Sequence, residues 1–157
     1  MRRLRRYGVD RVNIRILAVG KLKEKYMREA CLDYADRIKN YAKIEIMELK
    51  ETGKSSETRD IVNKLRKNAY KIALDVSGNK MDSIALSKKI SDLMLDGRAD
   101  IDIVIGGSDG YLDAVGEAVD LRLSFSDFTS THQLMRLILL EQLYRSFKII
   151  KNEVYHK

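Results

Sequence analysis

The sequence has one cysteine, no proline, no tryptophan and only two histidines in 157 residues. A single cysteine excludes a disulfide framework and any thiolate-based zinc site, so a reducing compartment is the expectation. Without proline, chain reversals fall to the nine glycines and to Asn, Asp and Ser. Neither an H-E-x-x-H spacing nor a Ser/His/Asp arrangement stands out, so hydrolysis and metal chemistry are unsupported. Long apolar runs are lacking too. The most apolar stretch, residues 134–150, carries Arg136, Glu141, Arg145 and Lys148, which argues against a bilayer span. Residues 14–19 are broken by Arg15 and are too short for a signal-peptide core. A soluble, cytoplasmic protein without a targeting segment is the expectation.

Apolar residues make up 45% of the chain, enough to exclude a disordered polymer. The length suits one domain whose core can fold without disulfides or metals. The net charge of +7 is unevenly spread. Residues 1–13 hold Arg2, Arg3, Arg5, Arg6 and Arg11 against Asp10, so the remainder carries only +3. Strong basicity therefore belongs to a leader, residues 1–12, which reads as a frayed or extraneous tail or as an RNA-touching arm. The domain itself, residues 13–157, is not a general nucleic-acid-coating surface, although a local basic site remains open.

Hydrophobic spacing orders the elements. Residues 14–19 predict a strand closed by Gly20. Leu22, Tyr26, Met27, Ala30, Cys31, Tyr34, Ala35 and Ile38 then fall three or four apart on one helical face, which assigns Cys31 to packing. Residues 43–49 predict a second strand, and Ile61, Leu65 and Ala69 a second helix. Residues 71–76 predict a third strand ending at Ser77, Gly78 and Asn79. Asp82 or Ser83 can cap a third helix that Gly97 stops. Residues 100–105 predict a fourth strand, Val115 and Val119 a short helix, and residues 121–125 a fifth strand. A polar loop, 126–131, feeds a last helix over about 132–151. Strands alternating with helices imply an α/β fold with a mostly parallel sheet of five to six strands and helices on both faces.

In such sheets ligands bind at the carboxyl ends of the strands. Gly20, Gly78, Gly106, Gly107 and Gly110 gather there. The segment Gly106-Gly107-Ser108-Asp109-Gly110 breaks the dinucleotide fingerprint and contains no P-loop lysine. By itself it reads equally as a tight turn or as a ligand loop. With Gly78 and the loop 125–131 it points to a pocket. The last helix is apolar at seven of the ten positions 134–143, so it is buried on more than one side. That leaves a central core helix and an isologous dimer both open. Glu141 and Arg145 are spaced to pair, and His132 reads first as a capping and packing residue.

Several blocks, in order, carry a likeness to a known family: Ile16 to Lys23, Leu74 to Gly78, Val104 to Ser108, Leu123 to Ser126, His132 to Arg136, Glu141 to Ile149, and terminal Tyr155, His156 and Lys157. Residues 13–157 resemble the RlmH family, SPOUT-class methyltransferases that modify N3 of a pseudouridine in 23S ribosomal RNA. The resemblance implies S-adenosylmethionine bound at Leu74, at Gly106 and along Phe125, Ser126, Asp127, Phe128, Thr129 and Ser130. It also implies a C-terminal trefoil knot, against the general rarity of knots, and a homodimer that buries the last helix. Two departures stand out. Many members have proline where this chain has Thr131, and the approach to it, Phe128-Thr129-Ser130, is less apolar. Residues 1–12 lie outside the likeness.

Methyl transfer to an imide nitrogen needs alignment of donor and acceptor, and it leaves negative charge on the uracil ring as the N3 proton departs. Arg145 is the candidate to stabilise that charge. The family's C-terminal motif makes Tyr155 and His156 candidates to take the proton or orient the base. Lys21 and Lys23 either meet phosphates or are simply solvated. Competing readings are a non-catalytic RNA- or nucleotide-binding module and, less well supported, a nicotinamide-dependent oxidoreductase. The low charge of the domain suggests that an assembled ribosomal surface, rather than free RNA, is recognised.

Overall fold

The computed structural model describes residues 12–155. Five strands and five helices alternate: β1 (Asn13–Val19), α1 (Lys25–Ile38), β2 (Lys43–Leu49), α2 (Lys54–Lys64), β3 (Tyr70–Lys80), α3 (Ser83–Leu95), β4 (Asp100–Ile105), α4 (Asp113–Ala118), β5 (Leu121–Ser124) and α5 (His132–Ile150). The sheet order is β2-β1-β4-β3-β5, and every neighbouring pair is parallel. The expected leader, residues 1–12, lies outside the described residues except for Val12.

Strands covered on both faces must bury both sets of alternating side chains. Ile14, Ile16, Ile72, Ile101 and Ile103 face α1, α3 and α5, whose Ile38, Ile90, Leu139, Leu143 and Phe147 close one core. Leu17, Val19, Ala73 and Val104 point the other way, onto Ile61 of α2 and Val115 of α4. The α5 helix therefore lies beside α1 and α3 across one face of the sheet.

Local signals end the helices as the sequence predicts. Asp82 caps α3 by accepting from the Ala85 amide at 2.8 Å. Gly97, at φ +75°, turns the chain out of α3. Thr131 accepts from the Leu134 amide at 3.2 Å and caps α5. Cys31 is buried in the core, as expected.

Three details depart from expectation. Helix α2 stops at Lys64 instead of running through Leu65 and Ala69, because the Arg66 amide donates to the buried Asp102 carboxylate at 2.7 Å instead of continuing the helical ladder. Tyr26, expected on the apolar face of α1, sits in its first turn and is 68% exposed. Strand β3 does not end at residues 77–79 but runs to Lys80 with a bulge. Leu123 of β5 is paired with both Leu74 and Asn79, so the register of the β3–β5 pairing shifts across the bulge.

Candidate active site

The carboxyl ends of β3, β4 and β5 converge because the strands are parallel neighbours in register. Ala73 lies beside Val104, and Leu74 beside Leu123. Leu74, Gly106 and the loop 125–130 thus share one edge of the sheet, as the sequence places them. Between Leu74 and Gly106 stands a residue that sequence reasoning missed. The Tyr111 hydroxyl donates to the Leu74 carbonyl at 3.1 Å. A Cβ on Gly106 would stand 3.0 Å from the Tyr111 ring and 3.1 Å from the Gly110 carbonyl carbon. The ring returns to this position because residues 107–110 form a closed turn. The Gly110 amide donates to the Gly107 carbonyl at 2.9 Å, and Gly110 adopts φ +74°, which favours glycine. The next residue is anchored from α2, as the Leu112 amide donates to Thr58 Oγ1 at 3.0 Å.

The excursion of β3 wraps β5 closely. A Cβ on Gly78 would lie 2.6 Å from the Arg122 carbonyl oxygen. Asp75 accepts from the Ser77 amide and hydroxyl and from Arg122 Nε at 3.0 Å. Burial pushes the Asp75 carboxyl up, but the Ser77 hydrogen bonds and Arg122 outweigh it and hold the group below the usual carboxylate range. Burial, reinforced by the Asp75 charge, raises the Tyr111 phenol well above its ordinary value, so it stays a donor at neutral pH.

The loop after β5 is shaped by its own side chains. Ser124 Oγ donates to the Ser126 carbonyl at 3.0 Å, the Phe128 amide donates to Ser126 Oγ at 3.0 Å, and Asp127 pairs with Lys80 at 2.6 Å. Phe125 packs on the core, whereas Phe128 is 84% exposed and Thr129 and Ser130 are open to solvent. A backbone carbonyl, bare glycine backbone, serine and threonine hydroxyls and an unburied aromatic ring together can hold a small ligand that carries both hydrogen-bonding groups and an aromatic ring. The carbonyl and hydroxyls suit amine and ribose groups, and the ring suits an aromatic base.

Arg145 and Tyr155 form a separate cluster. Arg145 donates to Glu141 Oε1 at 2.6 Å, the Tyr155 hydroxyl donates to the same oxygen at 3.1 Å, and the Arg145 guanidinium lies 4.8 Å from the Tyr155 ring centre. The Tyr155 ring also meets Tyr144 edge-on at 4.9 Å. Burial first, then hydrogen bonding with Tyr34 and Glu141, raises the Tyr155 phenol, while the Glu141 hydrogen bond raises Arg145. The expected i,i+4 pairing of Glu141 with Arg145 is therefore present. His156 lies outside the described residues. From His132 to Arg145 is more than three turns of α5, roughly 20 Å at about 1.5 Å per residue. One chain does not bring this cluster to the strand-end loops.

Arg136 is structural, as the sequence allows. It is buried, with Nη1 on Glu48 at 2.8 Å and Nη2 on the Gly20 carbonyl at 2.9 Å, tying α5 to the end of β1. The Nε2 atom of His132 is buried 3.7 Å from Glu51. Lys21 and Lys23 are exposed on the loop after β1, whose Leu22 and Lys23 carbonyls accept from Arg28. Among the described residues no group of His, Cys, Asp and Glu could hold a metal ion, and no helix is long and apolar enough to cross a membrane.

Comparison with known proteins adds a common theme. A family model described as "Predicted SPOUT methyltransferase" matches residues 12–156. The ribosomal RNA large subunit methyltransferase H of Finegoldia magna is 42% identical over 159 residues, spanning 93% of this chain and 100% of its own length. The protein of that name from Acetivibrio thermocellus is 41% identical with the same coverage. A Methanococcus maripaludis protein, under a provisional form of the name, is 43% identical, again over 93% of this chain and its own full length.

Proposed function

The chain belongs to the SPOUT methyltransferase family, and on that premise we propose that it methylates N3 of a pseudouridine in 23S ribosomal RNA on assembled ribosomes, using S-adenosylmethionine. The observation that carries this reading is the convergence of Leu74, Gly106 and residues 125–130 at one edge of the sheet. Residues 13–157 form the methyltransferase domain in this reading, preceded by the leader 1–12, and the work is cytoplasmic. Family membership implies the trefoil knot.

When bound, the donor supplies a methyl group already activated on a sulfonium. The chain's task is then to align and to manage charge. The Leu74 carbonyl, the Gly106 backbone and Phe125, Ser126, Asp127, Phe128, Thr129 and Ser130 hold the donor. Arg145 faces the negative charge that grows on the uracil ring as the N3 proton leaves. Tyr155 keeps its own proton at neutral pH, since burial and Glu141 raise its phenol, so it orients the base by donating. That leaves His156 to accept the N3 proton. Lys21 and Lys23 meet backbone phosphates, which makes binding salt-dependent.

The separation of Arg145 and Tyr155 from the strand-end loops is resolved by a homodimer through α5. Leu134, Ile138, Glu141 and Arg145 recur at helical spacing along one strip of α5 that a single chain leaves incompletely buried. A second copy packed there covers the strip and brings one chain's Arg145 and Tyr155 to its partner's loops. The test is to incubate ribosomes lacking the modification with labelled S-adenosylmethionine and map the methylated nucleotide. Arg145→Ala, with the dimer intact, is expected to lower turnover by about a hundredfold or more. Donor binding without transfer to any ribosomal RNA would instead support a binding module.

A further inference from the structure

Tyr111 lies outside the blocks that carry the family likeness, yet its side chain touches two of the elements assigned to the donor. Its hydroxyl holds the Leu74 carbonyl, and its ring lies flush on the Gly106 backbone, a fit that any side chain at residue 106 would spoil. These contacts span adjacent strands, because Leu74 lies in β3 and Gly106 directly follows β4. The ring is locked from below by the apolar cluster of Leu17, Val104 and Val115, and from the chain side by the Leu112–Thr58 hydrogen bond. A carbonyl oxygen has two lone pairs. Tyr111 engages one of them and so fixes the direction in which the carbonyl points.

We infer that Tyr111 is a positioning residue for the methyl donor, setting the Leu74 carbonyl and the Gly106 backbone at the spacing that an adenosyl group meets. The inference rests on the methyltransferase reading above. It assigns Tyr111 to donor affinity and not to the chemical step, because the ring packs with the core under α2 and α4, whereas Tyr155 packs with the core on the α5 face of the sheet. Its phenol remains protonated through the working pH range, so the effect is independent of pH near neutrality.

The test compares the full-length protein with Tyr111→Phe, which keeps the ring and removes only the hydroxyl. S-Adenosylhomocysteine is titrated by calorimetry, and methyl transfer to unmodified ribosomes is followed as the donor is varied. The expected result is donor affinity weaker by about five- to tenfold, the effect of one lost hydrogen bond. A matching rise in the donor KM and a kcat within about twofold of the parent should accompany it. A control, Leu65→Ala, trims the same apolar cluster without touching residues 74 or 106; it should lower the melting temperature and leave donor affinity unchanged. Unchanged affinity in Tyr111→Phe, a loss of kcat without a KM effect, or an equal affinity loss in Leu65→Ala would each overturn the inference. If the parent protein itself fails to bind S-adenosylhomocysteine, the methyltransferase reading fails instead.

Discussion

Asp102 is fully buried on β4, and its carboxylate lies against two arginines, one of which, Arg66, also reaches the more exposed Asp100 at 3.4 Å. It accepts from the Arg66 amide at 2.7 Å and from Arg66 Nε at 2.8 Å, with Arg15 Nε at 3.7 Å. Arg66 in turn donates to the carbonyls of Asn13 and Ile101, so one carboxylate organises the amino-terminal ends of β1 and β4 and the exit from α2. Asp102→Asn keeps the volume and removes the charge, leaving two guanidinium groups facing a neutral amide. Breaking a fully buried pair costs about 3–5 kcal/mol. Here the Arg66 and Arg15 side chains are 24% and 14% exposed, so partial hydration reduces the expected loss to about 2–4 kcal/mol. For a domain of this size, that lowers the melting temperature by about 5–15 °C. Thermal unfolding followed by circular dichroism measures it directly. Donor affinity at 20 °C or below should be unaffected, because Gly106 is roughly 13 Å further along the strand at about 3.3 Å per residue. A melting temperature within about 2 °C of the parent would refute the idea that this carboxylate is an organising charge.

Further predictions concern the strand-end loops. Gly78→Ala places a methyl group 2.6 Å from the Arg122 carbonyl oxygen, where only backbone could yield. It should cost about 1–3 kcal/mol and weaken donor binding, and calorimetry showing neither change would disprove the close wrap of β3 on β5. Asp75 titrates below its unfolded value of about 3.9. Its contribution is therefore complete above about pH 4 and is lost as pH falls through the lower folded value. In urea unfolding series, the stability gap between the parent and Asp75→Asn should shrink from pH 5 towards pH 2. A gap constant with pH would mean that the carboxylate is not preferentially charged in the fold.

The periodicities of the sequence were sufficient for the ten elements, the parallel α/β class and most helix ends. Each of these is a local property, since the short apolar run in β1, the 3.6-residue stripe in α1, Asp82 as a cap and Gly97 as a stop act within a few residues. The family blocks also singled out Leu74, Gly106 and Phe125, of which Gly106 and Phe125 directly follow β4 and β5 while Leu74 lies within β3, just before its bulge. Tertiary structure alone decided the rest. The end of α2 depends on a carboxylate 36 residues away in Asp102, the Tyr111 clamp on a carbonyl 37 residues back at Leu74, and the Arg136 anchor on Glu48, 88 residues earlier. No hydrophobic pattern encodes such pairings, because a polar side chain reads as solvent-facing until the fold delivers a partner to it. The distance between Arg145 and the loop 125–131 is the same kind of fact: composition shows an apolar helix, and only its path across the sheet sets its two ends apart.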